Sequence, residues 1–145
     1  MKMKFIISLL IIVSMLLTQS CGGNRDAETA FKAATAGLSE NNVLMYAEDA
    51  YAELSDLNIE DACKLTLVYY YLYSQNYEKK YGDCFGRCYE YATGKGEADA
   101  NDYFNELTGE ENAATMLKKA YQNLDIMRQA YDTFDEMRER DTQTY

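Results

Sequence analysis

Residues 65–73 read L-T-L-V-Y-Y-Y-L-Y, and the fold turns on whether this run is a strand or a helix. Its β-branched and aromatic content suits a strand. The spacing around it does not. Ile59, Cys63, Thr66, Tyr70, Tyr73, Tyr77 and Tyr81 recur at steps of three and four, the repeat of one helical face. That pattern outlasts an ordinary strand of about five or six residues. The run is therefore read as part of a helix from Ile59 to about Lys80. Its apolar character all round predicts a central helix packed on several sides.

Working outward, Asn58 is an N-cap candidate with Asp61 three residues on. Before it, Val43, Leu44, Ala47, Ala50, Tyr51 and Leu54 predict one helix, and Ala27, Ala30, Phe31, Ala34 and Leu38 predict another. Polar breaks at residues 39–42 and 55–58 separate them. Downstream, Gly82 is read as a turn or a loosened join. Tyr81, Cys84, Phe85, Cys88, Tyr89 and Ala92 then predict a fourth helix. T-G-K-G, residues 93–96, is expected to be a loop. Ala100, Tyr103, Phe104 and Leu107 predict a short fifth helix, and Thr108 to Glu111 has the S/T-x-x-E form of a capping box.

The last segment carries the longest regular pattern. Ala113, Leu117, Ala120, Leu124, Met127, Tyr131 and Phe134 alternate steps of four and three, a heptad seam. Two partners for it are open: the tyrosine-rich helix of the same chain, or another molecule. The connections are short, so neighbouring helices should form antiparallel hairpins. The expectation is an all-α fold, a compact bundle or stacked helical hairpins of five to six helices over residues 26–140, with a polar tail at 141–145. The likeness to tetratricopeptide arrays is architectural, since the signature tryptophan, glycine and proline positions are missing.

The N-terminus reads differently. Lys2 and Lys4 precede Phe5 to Leu17, which is apolar apart from Ser8 and Ser14. The run is shorter than the about 20 residues a membrane span needs and matches the apolar core of an export signal. It closes on L-L-T-Q-S-C-G-G-N, residues 16–24. With Ser20 before Cys21, this segment resembles the signal of bacterial lipoproteins. Gln19 and Thr18 depart from that family's small-residue and leucine positions. The resemblance implies a cleaved signal at 1–20, a lipid-modified Cys21 and a short tether over 21–25. Gly22 after the cysteine, where aspartate favours inner-membrane retention, implies the outer membrane. The alternatives are a secreted protein with Cys21 as an ordinary thiol, or an uncleaved anchor. Two or more acyl chains anchor a protein stably, so the partner implied through acylated Cys21 is the lipid bilayer.

Composition narrows the function classes. The full chain has 14 basic and 24 acidic residues. Without Lys2 and Lys4, twelve basic residues remain and the formal charge is −12. Such a domain is repelled by nucleic acid and by anionic headgroups. There is no histidine and no tryptophan or proline. The first absence removes Ser/His and Cys/His nucleophile pairs and the commonest general base.

The remaining chemistry is thin. Cys63, Cys84 and Cys88 are either small buried hydrophobes or supply one disulfide from two of the three, with Cys63 bridging to the next helix. Three thiols without histidine make a poor zinc site. Glu97, Asp99, Asn101 and Asp102 alternate oxygens like a calcium loop, but Asp102 and Thr108 fill the glycine and glutamate places of that template. Gly94-Lys95-Gly96 lacks the rest of a phosphate loop. Acid pairs such as Asp102/Glu106 and Asp132/Glu136 are read as solvated helix positions. The unusual feature is tyrosine, 14 in all. Tyr69, Tyr70, Tyr71, Tyr73 and Tyr77 cannot all face one core, so some are expected at a rim or groove, a candidate binding surface. No cofactor and no metal are expected. The expected function is a non-enzymatic helical binding or assembly domain with an envelope protein as partner. A structural homo-oligomer through the heptad helix, or a glycan or peptide binder, is the alternative.

Overall fold

The computed structural model describes residues 24–143. The signal segment 1–20, Cys21 with Gly22 and Gly23, and residues 144 and 145 lie outside the described residues. Within them the fold is all-α, with helices α1 (Arg25–Thr35), α2 (Glu40–Ala52), α3 (Ile59–Asn76), α4 (Lys79–Lys95), α5 (Glu97–Thr108) and α6 (Ala113–Gln143), and no strand. A single 3₁₀ turn, Leu54–Asp56, precedes α3.

The L-T-L-V-Y-Y-Y-L-Y run is helical and central. Every residue from Asp61 to Tyr70 is buried. The predicted cap forms: Asn58 Oδ1 accepts from the Asp61 backbone N–H at 2.8 Å. The helix stops sooner than its periodicity implies. Tyr77 takes a left-handed conformation, φ 54° and ψ 35°, as the C-cap of α3. A non-glycine residue there costs about 1–2 kcal/mol. Its ring meets the Tyr73 ring edge-on at 5.5 Å, and its carbonyl accepts from the Tyr131 hydroxyl. These contacts hold the turn in place.

The join was expected at Gly82. Gly82 instead lies inside α4, as does Gly86. A β-carbon on Gly82 would sit 3.0 Å from the Tyr73 ring and 3.3 Å from Leu124. The glycines lower the surface of α4 so that neighbouring side chains can lie close. The T-G-K-G loop is also corrected. Helix α4 continues through Lys95, and Gly96 alone separates it from α5. The capping box does not form at Thr108. That residue ends α5, its hydroxyl bonded back to the Phe104 carbonyl at 2.6 Å, and Gly109 follows in the left-handed region. The start of α6 is served from outside, by Asn105 Oδ1 accepting from the Ala114 N–H at 2.9 Å.

The helices pair as antiparallel hairpins. Asn24, at the start of α1, reaches Glu53, just past the end of α2. The Tyr91 hydroxyl near the end of α4 donates to the Ser55 and Leu57 carbonyls just before α3. Helix α5 returns along α3, with Cys63 Sγ 3.7 Å from the Ala100 carbonyl. Helix α6 then runs antiparallel to α4. Tyr121 meets Tyr89, Arg128 meets Asp83 and Lys79 meets Asp132. The heptad seam therefore packs on α4 and α5 rather than on the tyrosine-rich α3. Ala113, Leu117 and Leu124 are buried in it, and Ala120, Met127 and Tyr131 are half-buried. Phe134 is exposed, since the seam outruns the helices it packs on.

Candidate functional site

The candidate tyrosines do not form one surface. Tyr69, Tyr70 and Tyr73 are buried, Tyr71 is half-buried and Tyr77 is exposed. Tyr70 packs on Phe85 at 5.4 Å between ring centres, and Tyr73 lies under Gly82. Tyr69 meets Tyr51 edge-on at 5.5 Å. Three of the five are core residues, because adjacent positions of a helix surrounded on all sides each find a neighbouring helix.

The three cysteines are free thiols. Cys63 is buried against α5, and burial pushes its thiol up to about 12. Cys88 is buried and raised for the same reason. Cys84 is half-buried and lines a cavity of about 170 Å³ with Leu44, Glu48, Tyr51, Tyr69, Lys80 and Tyr81. Here the tyrosines and cysteines come together. The Tyr51 and Tyr69 hydroxyls lie against the Cys84 sulfur, while burial dominates and raises its pKa. The Tyr81 hydroxyl donates to the Glu40 carboxylate at the edge of the same region. A thiol held protonated is a weak nucleophile, so the chemistry this cavity offers is packing and hydrogen bonding.

Two further hollows are open. One, of about 350 Å³, is lined by Ile59, Asp99, Asp102, Tyr103 and Glu106. It holds much of the calcium-like segment, which forms the first turns of α5. No group of three or more acid or thiol side chains among the described residues is disposed to hold a metal ion. The other, of about 370 Å³, lies beside Gly94 between α4 and α6. Glu90 and Glu97 line it together with Lys118, a sign mixture that disfavours phosphate. Its floor is an aromatic stack: Tyr89 lies 5.9 Å from Phe104 and 4.7 Å from Tyr121.

Two features escaped the sequence reading. The first is Lys64, 2 % exposed in the second turn of α3. Its ammonium lies 3.6 Å from Glu28, 3.7 Å from Glu60 and 3.8 Å from Asp61. Asp61 is also buried, and its carboxylate accepts from the Asn24 backbone N–H at 2.6 Å. A buried charge needs partners, and this one has three. The sequence signal was a lysine inside an apolar run.

The second is the outer face of α6. Among the described residues, seven large hydrophobic side chains are exposed, and four belong to this helix. Ile126 is 66 % exposed, Phe134 64 %, Met137 55 % and Met116 38 %. They fall within about 80° of helical arc beside the buried seam, and Phe134, the last position of that seam, is the edge the two share. Ala130 lies among them, at four residues from both Ile126 and Phe134. Helix α6 thus has two apolar stripes, one buried and one outward. A helical projection of residues 113–143 would have separated them; reading only the heptad hid the second. No helix among the described residues is long and apolar enough to cross a membrane. Comparison with known proteins returns no family model, no curated protein and no solved structure that matches the chain.

Proposed function

We propose that the chain is a lipid-anchored protein of the bacterial cell envelope, held through Cys21 at the outer membrane, on its periplasmic face or at the cell surface. Its helical domain works by binding or assembly rather than by catalysis. The lipoprotein-like segment at residues 16–24 supports the anchor. The observation that carries the binding reading is the outward stripe of α6. Exposed apolar side chains gathered on a folded domain mark interaction surfaces; Ile126, Phe134 and Met137 lie close together on one side of this helix, and Met116 lies on the same side ten residues earlier.

Two measurements test the two halves. Cys21→Ser should move the protein from the membrane to the soluble fraction; unchanged partitioning removes the lipid anchor. Crosslinking and mass spectrometry in intact envelopes should place contacts on Met116, Ile126, Phe134 and Met137 and their neighbours. Contacts confined to the opposite side of the domain, around α1 and α2, would remove α6 as the binding surface.

A further inference from the structure

We infer that the hollow beside Gly94 is a binding site for a neutral sugar, with one pyranose ring of an oligosaccharide lying against Tyr121. The site shares no residue with the outward stripe of α6, so it stands apart from the proposed assembly surface.

The hollow is built where α4 and α6 pass each other over a set of aromatic rings. Tyr89 of α4 stacks on Phe104 of α5 with 7° between the rings, and on Tyr121 of α6 with 26°. Tyr89 and Phe104 are buried, whereas Tyr121 is half-buried and lines the hollow. Its ring is held at two points, by the stack on Tyr89 and by its hydroxyl donating to the Glu90 carboxylate. An apolar group fixed before the ligand arrives spares the entropy of ordering it. One turn beyond Glu90, Gly94 has no side chain, and nothing lies within 4 Å of where its β-carbon would stand. The space left is about 370 Å³, within the range of about 300–1,000 Å³ usual for small-molecule sites.

The walls select the chemistry of the ligand. Glu90 and Glu97 offer acceptors, while Lys118 and Gln122 bring donors. Glu90 keeps acceptor capacity after its one bond to Tyr121, because a carboxylate has about four such sites. Lys118 Nζ lies 3.9 Å from Glu97 Oε1, and both side chains are exposed, so the pair can open to hydroxyls on either side. The Thr93 hydroxyl donates to the Tyr89 carbonyl at 2.8 Å, which leaves its oxygen free to accept. An anion in this space meets two glutamates, and a cation meets Lys118. A neutral ligand escapes both repulsions. It must also give and take hydrogen bonds along its edge and cover an aromatic ring with apolar surface. A pyranose does all three: its hydroxyls are each donor and acceptor, and its C–H face suits the electron-rich face of an aromatic ring. The other two hollows lack this combination. That of Asp99, Asp102 and Glu106 has carboxylates without a cation or an amide, and the cavity at Cys84 has less than half the volume.

The full-length chain, held in a detergent without a sugar headgroup, is applied to an array of neutral, uronate and sialylated glycans. It should be retained by neutral glycans. A site that contacts one ring in an open hollow binds in about the millimolar range, so hits are measured by titration with the free oligosaccharide. Gly94→Gln should weaken that binding tenfold or more, since the new side chain occupies the hollow. Gln122→Ala, at an exposed position, should weaken it severalfold. An unfolding midpoint of Gly94→Gln no lower than the parent's verifies that the loss is not one of folding, and Gln122→Ala reads the site independently of it. Retention by no neutral glycan overturns the sugar as ligand. Binding confined to uronate or sialylated glycans overturns the neutral class. Neutral binding that survives both substitutions unchanged overturns the hollow as its site. None of these results bears on the α6 contacts expected in intact envelopes, so the two readings fail separately.

Discussion

Leu124 of α6 lies over Gly82 of α4, so close that a β-carbon on the glycine would stand 3.3 Å from the leucine Cδ2 and 3.0 Å from the Tyr73 ring. Both neighbours are buried, so neither is free to withdraw. Gly82→Ala should therefore destabilise the domain by about 1–2 kcal/mol, overpacking outweighing a gain of up to about 1 kcal/mol in helix propensity. Gly94 is also helical, and nothing lies within 4 Å of its would-be β-carbon. Gly94→Ala should stabilise by about 0.5–1 kcal/mol. Urea unfolding of the two variants checks the opposed signs; a stabilised Gly82→Ala would contradict the close approach.

Lys64 supplies a second prediction. Removing one partner of a buried ion cluster leaves the rest uncompensated and costs about 3–5 kcal/mol. Lys64→Met should fall in that range. Asp61 is the deeply buried acid of the cluster, so adding Asp61→Asn to Lys64→Met should recover part of the loss. If the two changes simply add, the cluster is not coupled as its distances imply.

Alkaline pH should loosen the fold. Burial raises Cys63 from 9.0 to about 12, and also raises Cys84 and Cys88 and the hydroxyls of Tyr51 and Tyr69. A raised folded-state pKa means stability fully present below the unfolded value and lost as pH climbs through the folded one. For Cys63 that window runs from about pH 9 to about 12. Unfolding free energies should be flat from pH 7 to 8 and fall steadily above 9. Cys63→Ala should show a shallower fall than the parent, even from a lower starting stability. Equal slopes would show that Cys63 does not contribute.

A stop codon in place of Asp132 removes the exposed stretch of α6. The side chains lost are exposed from Asp132 to Thr142, and the ion pair between Lys79 and Asp132 that is lost with them joins two exposed groups. Exposed pairs contribute about 0–1 kcal/mol, so the unfolding midpoint of the truncated chain should shift by little. A collapse of the remaining domain would show that the far half of α6 carries hidden stability.

Much of the fold could be read from helical periodicity. The run at 65–73, the Asn58 cap and the long final helix follow from spacing alone, because burial on one helix face imposes a repeat. The boundaries that failed share a cause. Gly82, Gly94 and Thr108 were read by local chemistry, as turn, loop and cap. Their surroundings decide instead: a helix packed against Gly82, a helix continuing past Gly94, a hydroxyl turned back to Phe104. Conversely, no propensity announces Tyr77 as the residue that turns the chain, since its conformation is held by Tyr73 and Tyr131 from other turns and helices. The tyrosine groove failed for a related reason. Residue type shows that Tyr69, Tyr70 and Tyr73 want an interface, but not that the interface is the core. The outward stripe of α6 was legible and obscured by the stronger heptad beside it.

The bond from the Asn24 backbone to Asp61 has a mechanical meaning. Tension entering the chain ahead of Asn24 does not have to travel through α1 and α2 to reach the centre of the domain. It passes across one hydrogen bond to α3, the helix with the most buried neighbours, where Lys64 ties the same carboxylate to Glu28 on α1. Loading is thus shared between the first and third helices rather than peeling the first away, and a pulling trace in which α1 detaches at low force would contradict it. A pull applied at the N-terminal end of the domain would in this way be borne by its middle.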